Sequence, residues 1–311
     1  MNSKYEIAVL LSTYNGEKFI EPQIMSILAQ KDIENVKIII RDDGSQDSTV
    51  EILDMLQKKY NHIEIIHGEN IGLVRSFFSL LEYGLKNGEY SYFAFCDQDD
   101  YWLSDKLKIA IQSIQKEKKP LLYSCSSKIV DADLKFSGKT TQKKIKEIVF
   151  YNTAIQNICP GHNQVINREL AEIIVQNTKD TNKIYSQDLW ITNVAAIVGR
   201  VVFDNSEHTL YRMHGKNQLG YGKNKFEWMK ARIRRALRAE GQAIALQMQY
   251  LAECYNEYMT DSELLEVKNF FENQDTLAKR VKYIKSTKFY RQKYIETIMF
   301  KLLYIIGGYS L

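Results

Sequence analysis

The sequence predicts an α/β fold in which a mostly parallel sheet is covered by helices and followed by an all-helical C-terminal extension. Over the first 130 residues, short apolar runs typical of buried strands alternate with segments whose apolar residues recur at helical spacing. Polar residues follow several of these strands, and beyond Tyr221 the pattern becomes almost continuously helical. We therefore place one domain at residues 1–221 and a helical region at 222–311.

The predicted elements alternate regularly along the first domain. "IAVLLS" (7–12) is a short apolar run, and "EKFIEPQIMSILAQ" (17–30) has the apolar spacing of a helix. Strands are predicted at 7–12, 36–41, 63–68, 90–97 and 120–130, and helices at 17–30, 47–60, 73–87 and 105–119. From about 131 to 215 the pattern is irregular, with helices predicted at 167–177 and 187–198.

The composition excludes several classes of protein. The chain has 311 residues, of which 45% are hydrophobic and 26% charged, as in a folded globular protein rather than a disordered one. Its four cysteines form no CxxC pair, so we expect buried thiols in a reducing compartment and no zinc site. The start "MNSKYE" leads directly into a strand, and no eighteen apolar residues are consecutive. We therefore expect neither a secretory signal nor a membrane span.

Three polar strand ends form the candidate ligand-binding edge of the sheet. Residues 12–15 follow the first strand, residues 42–43 the second, and residues 97–100, within "FAFCDQDDYWLSDKL", the fourth. In open α/β sheets, ligands bind beyond the carboxyl ends of the strands. Clustered carboxylates repel one another unless a cation or hydrogen-bond donors compensate, and Mg²⁺ or Mn²⁺ typically bridges carboxylates to substrate phosphates. The alternative is an acidic loop before a helix that is capped by Ser104 or Asp105.

Seven segments, in order, resemble the motifs of family 2 glycosyltransferases, which are inverting enzymes with a Rossmann-like GT-A fold that use nucleotide-diphospho-sugars. Four of them are "LLSTYNGEKFIEPQIMSILAQ", "IIIRDDGSQDSTVEIL", "NIGLVRSFFSLL" and "FAFCDQDDYWLSDKL". The other three resemble the rhamnosyltransferase branch of the family: "CPGHNQVINREL" (159–170), "YSQDLW" (185–190) and "YRMHGKNQLG" (211–220). The chain departs from that branch at Gln187, where His is usual, and at Met213, where Gln is usual.

The resemblance implies a role for each matching residue. The nucleotide and the donor would be bound by Ser12, Thr13, Tyr14, Asn15, Asp42, Asp43, Arg75, Asp97 and Arg212. A divalent cation, Mn²⁺ or Mg²⁺, would be held by Asp99, Asp100 and His214, with the choice between the two aspartates left open and a diphosphate contact as the alternative for His214. The sugar or the acceptor would contact Trp102, His162 and Trp190, and core packing is the alternative for both tryptophans.

Asp188 is the predicted general base. An inverting transfer needs a carboxylate within hydrogen-bond reach of the attacking hydroxyl, opposite the departing diphosphate. Asp188 lies in "YSQDLW" at the start of a predicted helix, so capping that helix is the alternative role. The two roles are compatible, because a helix N-terminus favours the ionised carboxylate.

The C-terminal helices indicate a surface for a membrane or another subunit. "KNKFEWMKARIRRALRAE" (223–240) is a basic amphipathic segment suited to an anionic membrane, although packing on the first domain is an alternative. "YRQKYIETIMFKLLYIIGGYSL" (290–311) is more apolar but is interrupted by Glu296 and Lys301, which suits an interfacial helix or a subunit contact better than a membrane span. No nucleic-acid-binding motif is present.

The leading hypothesis is therefore a metal-dependent transfer of L-rhamnose from dTDP-rhamnose to a lipid-linked or growing cell-surface polysaccharide. We expect a bacterial enzyme that is cytoplasmic and peripheral at the inner face of the cell membrane, with a homo-oligomer as an open possibility. One alternative keeps the chemistry and uses a UDP-hexose donor. The other is a non-catalytic scaffold subunit that binds nucleotide sugars.

Overall fold

The computed structural model describes residues 7–33, 35–141, 143–214 and 240–311, and the chain divides into two compact units. The first unit contains the described residues up to Lys143, together with Cys159–Thr181 and Gly199–His214. The second contains Lys144–Ile158, Asn182–Val198 and the described C-terminal residues. The boundary placed near residue 222 lies outside the described residues, as does most of the basic segment 223–240, so both stay predictions.

The first unit is built on a mixed sheet whose described strands number nine. The strands are β1 (Ile7–Thr13), β2 (Val36–Asp42), β3 (Ile63–His67), β4 (Tyr92–Asp97), β5 (Tyr101–Trp102), β6 (Leu121–Val130), β7 (Phe136–Thr140), β8 (Val165–Asn167) and β9 (Arg200–Arg212). The described helices of both units are α1 (Ile20–Leu28), α2 (Thr49–Lys59), α3 (Leu73–Asn87), α4 (Lys106–Ile114), α5 (Phe150–Thr153), α6 (Arg168–Asn177), α7 (Gln187–Val198), α8 (Gly241–Tyr255), α9 (Asp261–Glu272), α10 (Leu277–Ser286) and α11 (Tyr294–Ile305).

The order of the strands is β3-β2-β1-β4-β8-β6-β9-β5, with β7 on β6. The first four strands are parallel, β8 runs antiparallel between β4 and β6, and β6 and β9 are again parallel. The register sets Ser12 beside Asp97 and Thr13 beside Asp42, so the polar ends of β2, β1 and β4 are neighbours, as the sequence predicts.

Helices cover both faces of the parallel half, which explains why its strands are apolar throughout. On one face, Val9 and Leu11 share a buried cluster with residues of α1, α2 and α4. On the other face, Phe77 of α3 meets Phe95 of β4 edge-on, with ring centroids 5.7 Å apart. This two-sided burial holds the carboxyl ends of the strands as a rigid edge.

The second unit is helical. Phe270 of α9 lies in an aromatic core with Tyr283, Phe289 and Tyr304. Buried Gln247 of α8 accepts hydrogen bonds from the amides of residues 185 and 186 at 2.9 and 3.0 Å, which fixes the entry to α7. Among the helices that the structure describes, none combines the length and the apolarity needed to cross a membrane.

Candidate active site

The loop after β2 is organised by the Asp42 carboxylate. It accepts hydrogen bonds from the Gly44 and Ser45 amides at 3.2 and 3.0 Å. Gly44 has φ +82°, a conformation that favours glycine, so the turn suits its sequence. The Ser45 hydroxyl then accepts from the Asn15 amide at 2.9 Å, and this contact joins the loop after β2 to the loop after β1.

Asp43 is a buried carboxylate that three donors fix in place. It forms an ion pair with Arg41 and accepts from the amides of Ile71 and Gly72 at 3.0 and 2.9 Å. Those amides precede α3, so Asp43 connects the loop after β3 to the loop after β2. The three parallel strands therefore end in one hydrogen-bonded framework.

Gln98, which no sequence motif indicated as functional, connects this framework to the acidic segment. Its side-chain oxygen accepts from the Thr13 hydroxyl at 2.6 Å and from the Tyr14 amide at 2.9 Å, and its Nε2 donates to the Tyr14 carbonyl at 3.2 Å. A Cβ on Gly16 would collide with that oxygen, so glycine is needed for this close approach.

The remaining residues that are predicted to bind the nucleotide differ in exposure. The Tyr14 side chain is 44% exposed at the edge of the sheet, and Arg75 is exposed in the first turn of α3. Ser12 is buried, and its hydroxyl hydrogen-bonds with that of Ser76 at 2.7 Å. Tyr14 and Arg75 are thus open to a ligand, whereas the Ser12 side chain holds α3 against β1.

Three side chains form a group that we call the acidic cluster: Asp97, Asp100 and His162. One ligand atom from each lies within 4.8 Å of the others. His162 Nδ1 is 3.9 Å from Asp97 Oδ2 and 3.6 Å from Asp100 Oδ2, which is longer than a hydrogen bond. Asp100 is fully buried, and its Oδ2 has no hydrogen-bond partner among the described residues.

The protonation of the acidic cluster follows from burial. Burial raises the pKa of the Asp100 carboxyl well above its usual range, and the Asp99 and Asp97 charges raise it further. Burial also lowers the pKa of His162 to about 3, and the charge of Lys106 adds to this effect. His162 is therefore neutral at physiological pH, in the form that ligates metals.

Lys106 supports the cluster from within the core. Its ammonium is fully buried and donates to the His162 carbonyl at 2.5 Å, to Asn163 Oδ1 at 3.2 Å and to Thr209 Oγ1 at 3.0 Å. It also lies 3.9 Å from the centroid of the Trp102 ring. These contacts hold the backbone of His162 at the end of β4.

Asp99 belongs to a second arrangement beside the acidic cluster. Its Oδ2 lies 2.7 Å from His214 Nε2, and the His214 ring stacks on Phe19 with centroids 5.0 Å apart. Arg212 lies over the same phenyl ring, donates from Nε to the Asp99 carbonyl at 2.8 Å, and donates from its backbone amide to Asp100 Oδ1 at 3.1 Å. The predicted metal residues thus divide between the acidic cluster and the Asp99–His214 pair.

The prediction that Trp102 and Trp190 contact a sugar is wrong in this structure. Trp102 is 1% exposed and lies under Lys106, and Trp190 is 0% exposed, stacked on Tyr250 at 5.2 Å and edge-on to Tyr255. A sugar cannot reach a ring whose faces are covered by protein. Core packing, the alternative role, describes both side chains. His162 lies in the acidic cluster, and its predicted contact with the acceptor stays a prediction.

In the second unit, Asp188 lies in the first turn of α7. Its carboxylate accepts from Asn157 Nδ2 at 2.6 Å, from the Leu189 amide at 2.8 Å and from the Ser186 hydroxyl. The helix begins at Gln187, as predicted, so Asp188 is inside the helix and not its cap.

A signal for Lys106 was present in the sequence. Lys106, Ala110 and Ile114 are four residues apart, so the lysine falls on the buried stripe of α4. A lysine at such a position must find acceptors in the core. Gln98 carried no comparable signal, because its partners lie more than 80 residues away along the chain.

The fold and the polar strand ends define the class of protein. The sequence pattern described as "Glycosyl transferase family 2" matches residues 8–174, and the chain belongs to this family. It is a glycosyltransferase with a GT-A fold, so the predicted family, fold and enzyme class are confirmed.

Individual relatives support the family assignment. The chain is 31% identical over 219 residues to the dTDP-rhamnosyl transferase RfbG of Shigella flexneri, covering 68% of this chain and 73% of that protein. It is 23% identical over 217 residues to a cholesterol galactosyltransferase of Borreliella burgdorferi, covering 65% of this chain and 59% of that protein.

Solved structures confirm the fold. S. aureus TarS 1-349 in complex with UDP-GlcNAc has a TM-score of 0.53 at 18% identity, over 90% of this chain and 79% of that one. The mannosyltransferase PcManGT from Pyrobaculum calidifontis, in complex with GDP-Man and Mn²⁺, has a TM-score of 0.56 at 15% identity, over 99% of this chain and 86% of that one.

Proposed function

We propose that this glycosyltransferase moves L-rhamnose, with inversion and with the help of a divalent cation, from dTDP-rhamnose to a hydroxyl of a lipid-linked or growing cell-surface polysaccharide. The observation that carries the catalytic part is the acidic cluster at the carboxyl edge of the sheet. The choice of rhamnose is supported by the three segments at 159–170, 185–190 and 211–220 and by the similarity to RfbG.

Mn²⁺ or Mg²⁺ fits the acidic cluster. The buried Asp100 Oδ2 lacks a hydrogen-bond partner among the described residues, and a buried carboxylate oxygen needs either a proton or a cation. Asp97, Asp100 and His162 would hold the ion, and the Asp99–His214 pair is the second candidate. When bound, the ion supplies Lewis-acid stabilisation of the negative charge that develops on the departing diphosphate.

The nucleotide would bind along the loops after β1, β2 and β3. A carboxylate can accept about four hydrogen bonds, and Asp43 accepts three from the described residues. It can therefore accept one more, from the N–H of a pyrimidine. The exposed Tyr14 and Arg75 flank this framework, and Arg212 supplies a cation for phosphate. Thr13 and Asn15 would orient the ribose side of the site through their loop.

Asp188 would act as the general base. The acceptor oxygen forms a bond to the anomeric carbon as the bond from that carbon to dTDP breaks, and the electron pair leaves with the diphosphate. The proton of the attacking hydroxyl passes to the Asp188 carboxylate. Its hydrogen bonds with Asn157 and Leu189 would fix the orientation of the carboxylate for this transfer.

Replacing Asp188 with Asn tests the base. We expect Asp188→Asn to lower the transfer rate by at least about a hundredfold, because general-base catalysis contributes about 10²–10⁴. Donor affinity should stay within about twofold. Asp261→Asn, also in the first turn of a helix, is the matched control and should retain full activity. Near-normal turnover by Asp188→Asn refutes the assignment.

Donor and metal are tested by calorimetric binding of dTDP-rhamnose, UDP-glucose, UDP-galactose and UDP-N-acetylglucosamine, each with Mn²⁺, Mg²⁺ or chelator. We expect metal-dependent preference for dTDP-rhamnose. Asp100→Asn should abolish the Mn²⁺ response, Asp99→Asn reports on the second candidate pair, and Asp105→Asn is the nearby control. Preference for a UDP-sugar overturns the rhamnose assignment and keeps the chemistry, whereas binding of no donor favours a scaffold role.

A further inference from the structure

We propose that α11, flanked by the basic residues of α10, is the surface by which this enzyme docks on an anionic lipid bilayer. We define the outer face of α11 as Tyr294, Ile295, Ile298, Met299 and Leu302, together with Ile306, which directly follows the helix. The biological setting of this inference rests on the proposed transfer to a lipid-linked acceptor, but its evidence comes from the helix itself.

The outer face of α11 is apolar and open. Tyr294 is 77% exposed, Ile295 61%, Leu302 57% and Ile306 60%, and Ile298 and Met299 between them are partly exposed. Single exposed apolar residues are common on protein surfaces, but a contiguous strip along three turns of a helix marks an interaction site.

Two polar residues of α11, Glu296 and Thr297, face inward, and its charged residue Lys301 is partly exposed. Glu296 and Thr297 are buried, and the Glu296 carboxylate accepts from Gln156 Nε2 at 3.0 Å. Thr297 Oγ1 accepts from the Arg291 amide at 2.9 Å. A solvent-facing helix directs its polar stripe to water. The sequence of α11 is therefore fitted to a second apolar phase on its outer side.

The surrounding charge selects an anionic partner. Residues 277–311 contain eight Lys or Arg and one acidic side chain, Glu296, which gives 8 − 1 = +7, and that single acid is turned inward. The exposed lysines of this segment are Lys282, Lys285, Lys288 and Lys293, and also Lys279, which pairs with Asp275. Anionic lipid attracts such a cluster, and lysine stems can lie along the acyl boundary while their ammonium groups reach phosphate.

This charge argues against a second copy of the chain as the occupant. A two-fold contact through the outer face of α11 would bring the two basic segments together, and like charges at an interface are unfavourable. The length of α11 also defines how it meets the bilayer. Twelve residues rise about 18 Å, less than the roughly 30 Å hydrocarbon core, so the helix would lie in the interface.

The test is flotation of the full chain with vesicles of phosphatidylglycerol and phosphatidylethanolamine, compared with neutral phosphatidylcholine vesicles. We expect binding to the anionic vesicles and a fall of roughly tenfold per apolar side chain in Ile295→Gln/Leu302→Gln. The matched control is Met55→Gln/Phe136→Gln, two exposed apolar residues of the first unit, which should bind as wild type.

A second pair of variants tests the charge. Lys282→Glu/Lys285→Glu should weaken binding to anionic vesicles roughly fivefold per lysine or more, and Lys58→Glu/Lys116→Glu in the first unit should not. Equal binding to neutral vesicles, or wild-type binding by Ile295→Gln/Leu302→Gln, overturns the proposal. It is also overturned if those substitutions leave vesicle binding intact but turn an oligomer into a monomer by sedimentation, which would assign the face to a second copy.

The vesicle experiment needs neither donor nor acceptor, so its outcome is independent of the proposed chemistry. If the protein binds dTDP-rhamnose but no lipid, only the proposed docking surface is refuted. If the protein binds lipid but no nucleotide sugar, the proposed function is refuted and the docking surface is still supported.

Discussion

Lys106→Met gives a direct measure of how the interior supports the acidic cluster. The substitution keeps most of the length and packing of the side chain on Trp102 but removes three hydrogen bonds, to the His162 carbonyl, Asn163 and Thr209. All of these groups are buried, so water cannot replace the ammonium without a rearrangement.

The size of the effect is the difference between two opposing contributions. Each buried acceptor left without a donor costs about 1–3 kcal/mol, so three acceptors set an upper range of roughly 3–9 kcal/mol. Burial of the ammonium offsets part of this, since desolvation lowers the pKa of Lys106 to about 8 and Met carries no charge to desolvate. The Thr209 hydroxyl also donates to Asn163 Oδ1 at 2.7 Å, so that oxygen keeps one donor after the substitution. We expect a net loss of about 2–4 kcal/mol in the free energy of unfolding.

Urea unfolding at pH 7 with chelator measures this loss as a shift of the midpoint at constant slope. Lys108→Met is the control, because Lys108 lies two residues further along α4, pairs with exposed Asp32 and should change stability by less than about 1 kcal/mol. If the two variants are equally stable, the three hydrogen bonds of Lys106 contribute nothing net, and the reasoning is refuted.

Three further predictions concern the site. Asp100→Asn should stabilise the metal-free protein at pH 8 by about 1 kcal/mol or more, as measured by urea unfolding. Because the pKa of Asp100 is raised in the native state, the native state binds more protons than the unfolded state above the usual carboxyl pKa. The stability of the wild-type protein therefore falls as the pH rises, whereas Asn carries no charge. For the same reason Mn²⁺ binding should release a proton, seen calorimetrically as heats that vary with buffer ionisation, and buffer-independent heats would contradict it. Gly16→Ala should weaken donor binding about tenfold by displacing Gln98, but should add little in a Gln98→Ala background, and additive effects would exclude this coupling.

The parallel half of the sheet was predictable from the sequence. Each strand is buried on both faces and so appears as an apolar run, and each helix has its apolar residues on a single face. Both ends of the helix at 73–87 were predicted correctly, because glycines at positions 72 and 88 flank its run of helically spaced apolar residues. The helix predicted at 105–119 ends instead at Ile114, its last buried apolar residue. The charged residues that follow bury nothing, and Pro120 disfavours helical backbone before it.

The antiparallel part of the sheet was not predictable from local pattern. β8 has three residues, too few to show a period, and β9 extends over thirteen residues with two irregularities in its pairing to β6. The same limit applies to the site. The acidic strand end was recognised, but the pairing of Asp100 with His162 depends on where β8 inserts, and no spacing rule encodes that insertion.

The insertion of β8 has a consequence for the order of folding. His162 is carried to the acidic cluster by a segment that joins β4 through the Phe95 amide and the Gln164 carbonyl, at 2.9 Å, after some seventy intervening residues. A nascent chain that has released only the first 130 residues contains both aspartates but not the imidazole. Bringing β8 to β4 closes the long loop between them, which costs conformational entropy. Only the contacts of the completed sheet offset that cost. The proposed cation site would thus assemble late in synthesis, and a metal that binds all three of its ligands would stabilise the finished domain while leaving the emerging chain largely unaffected.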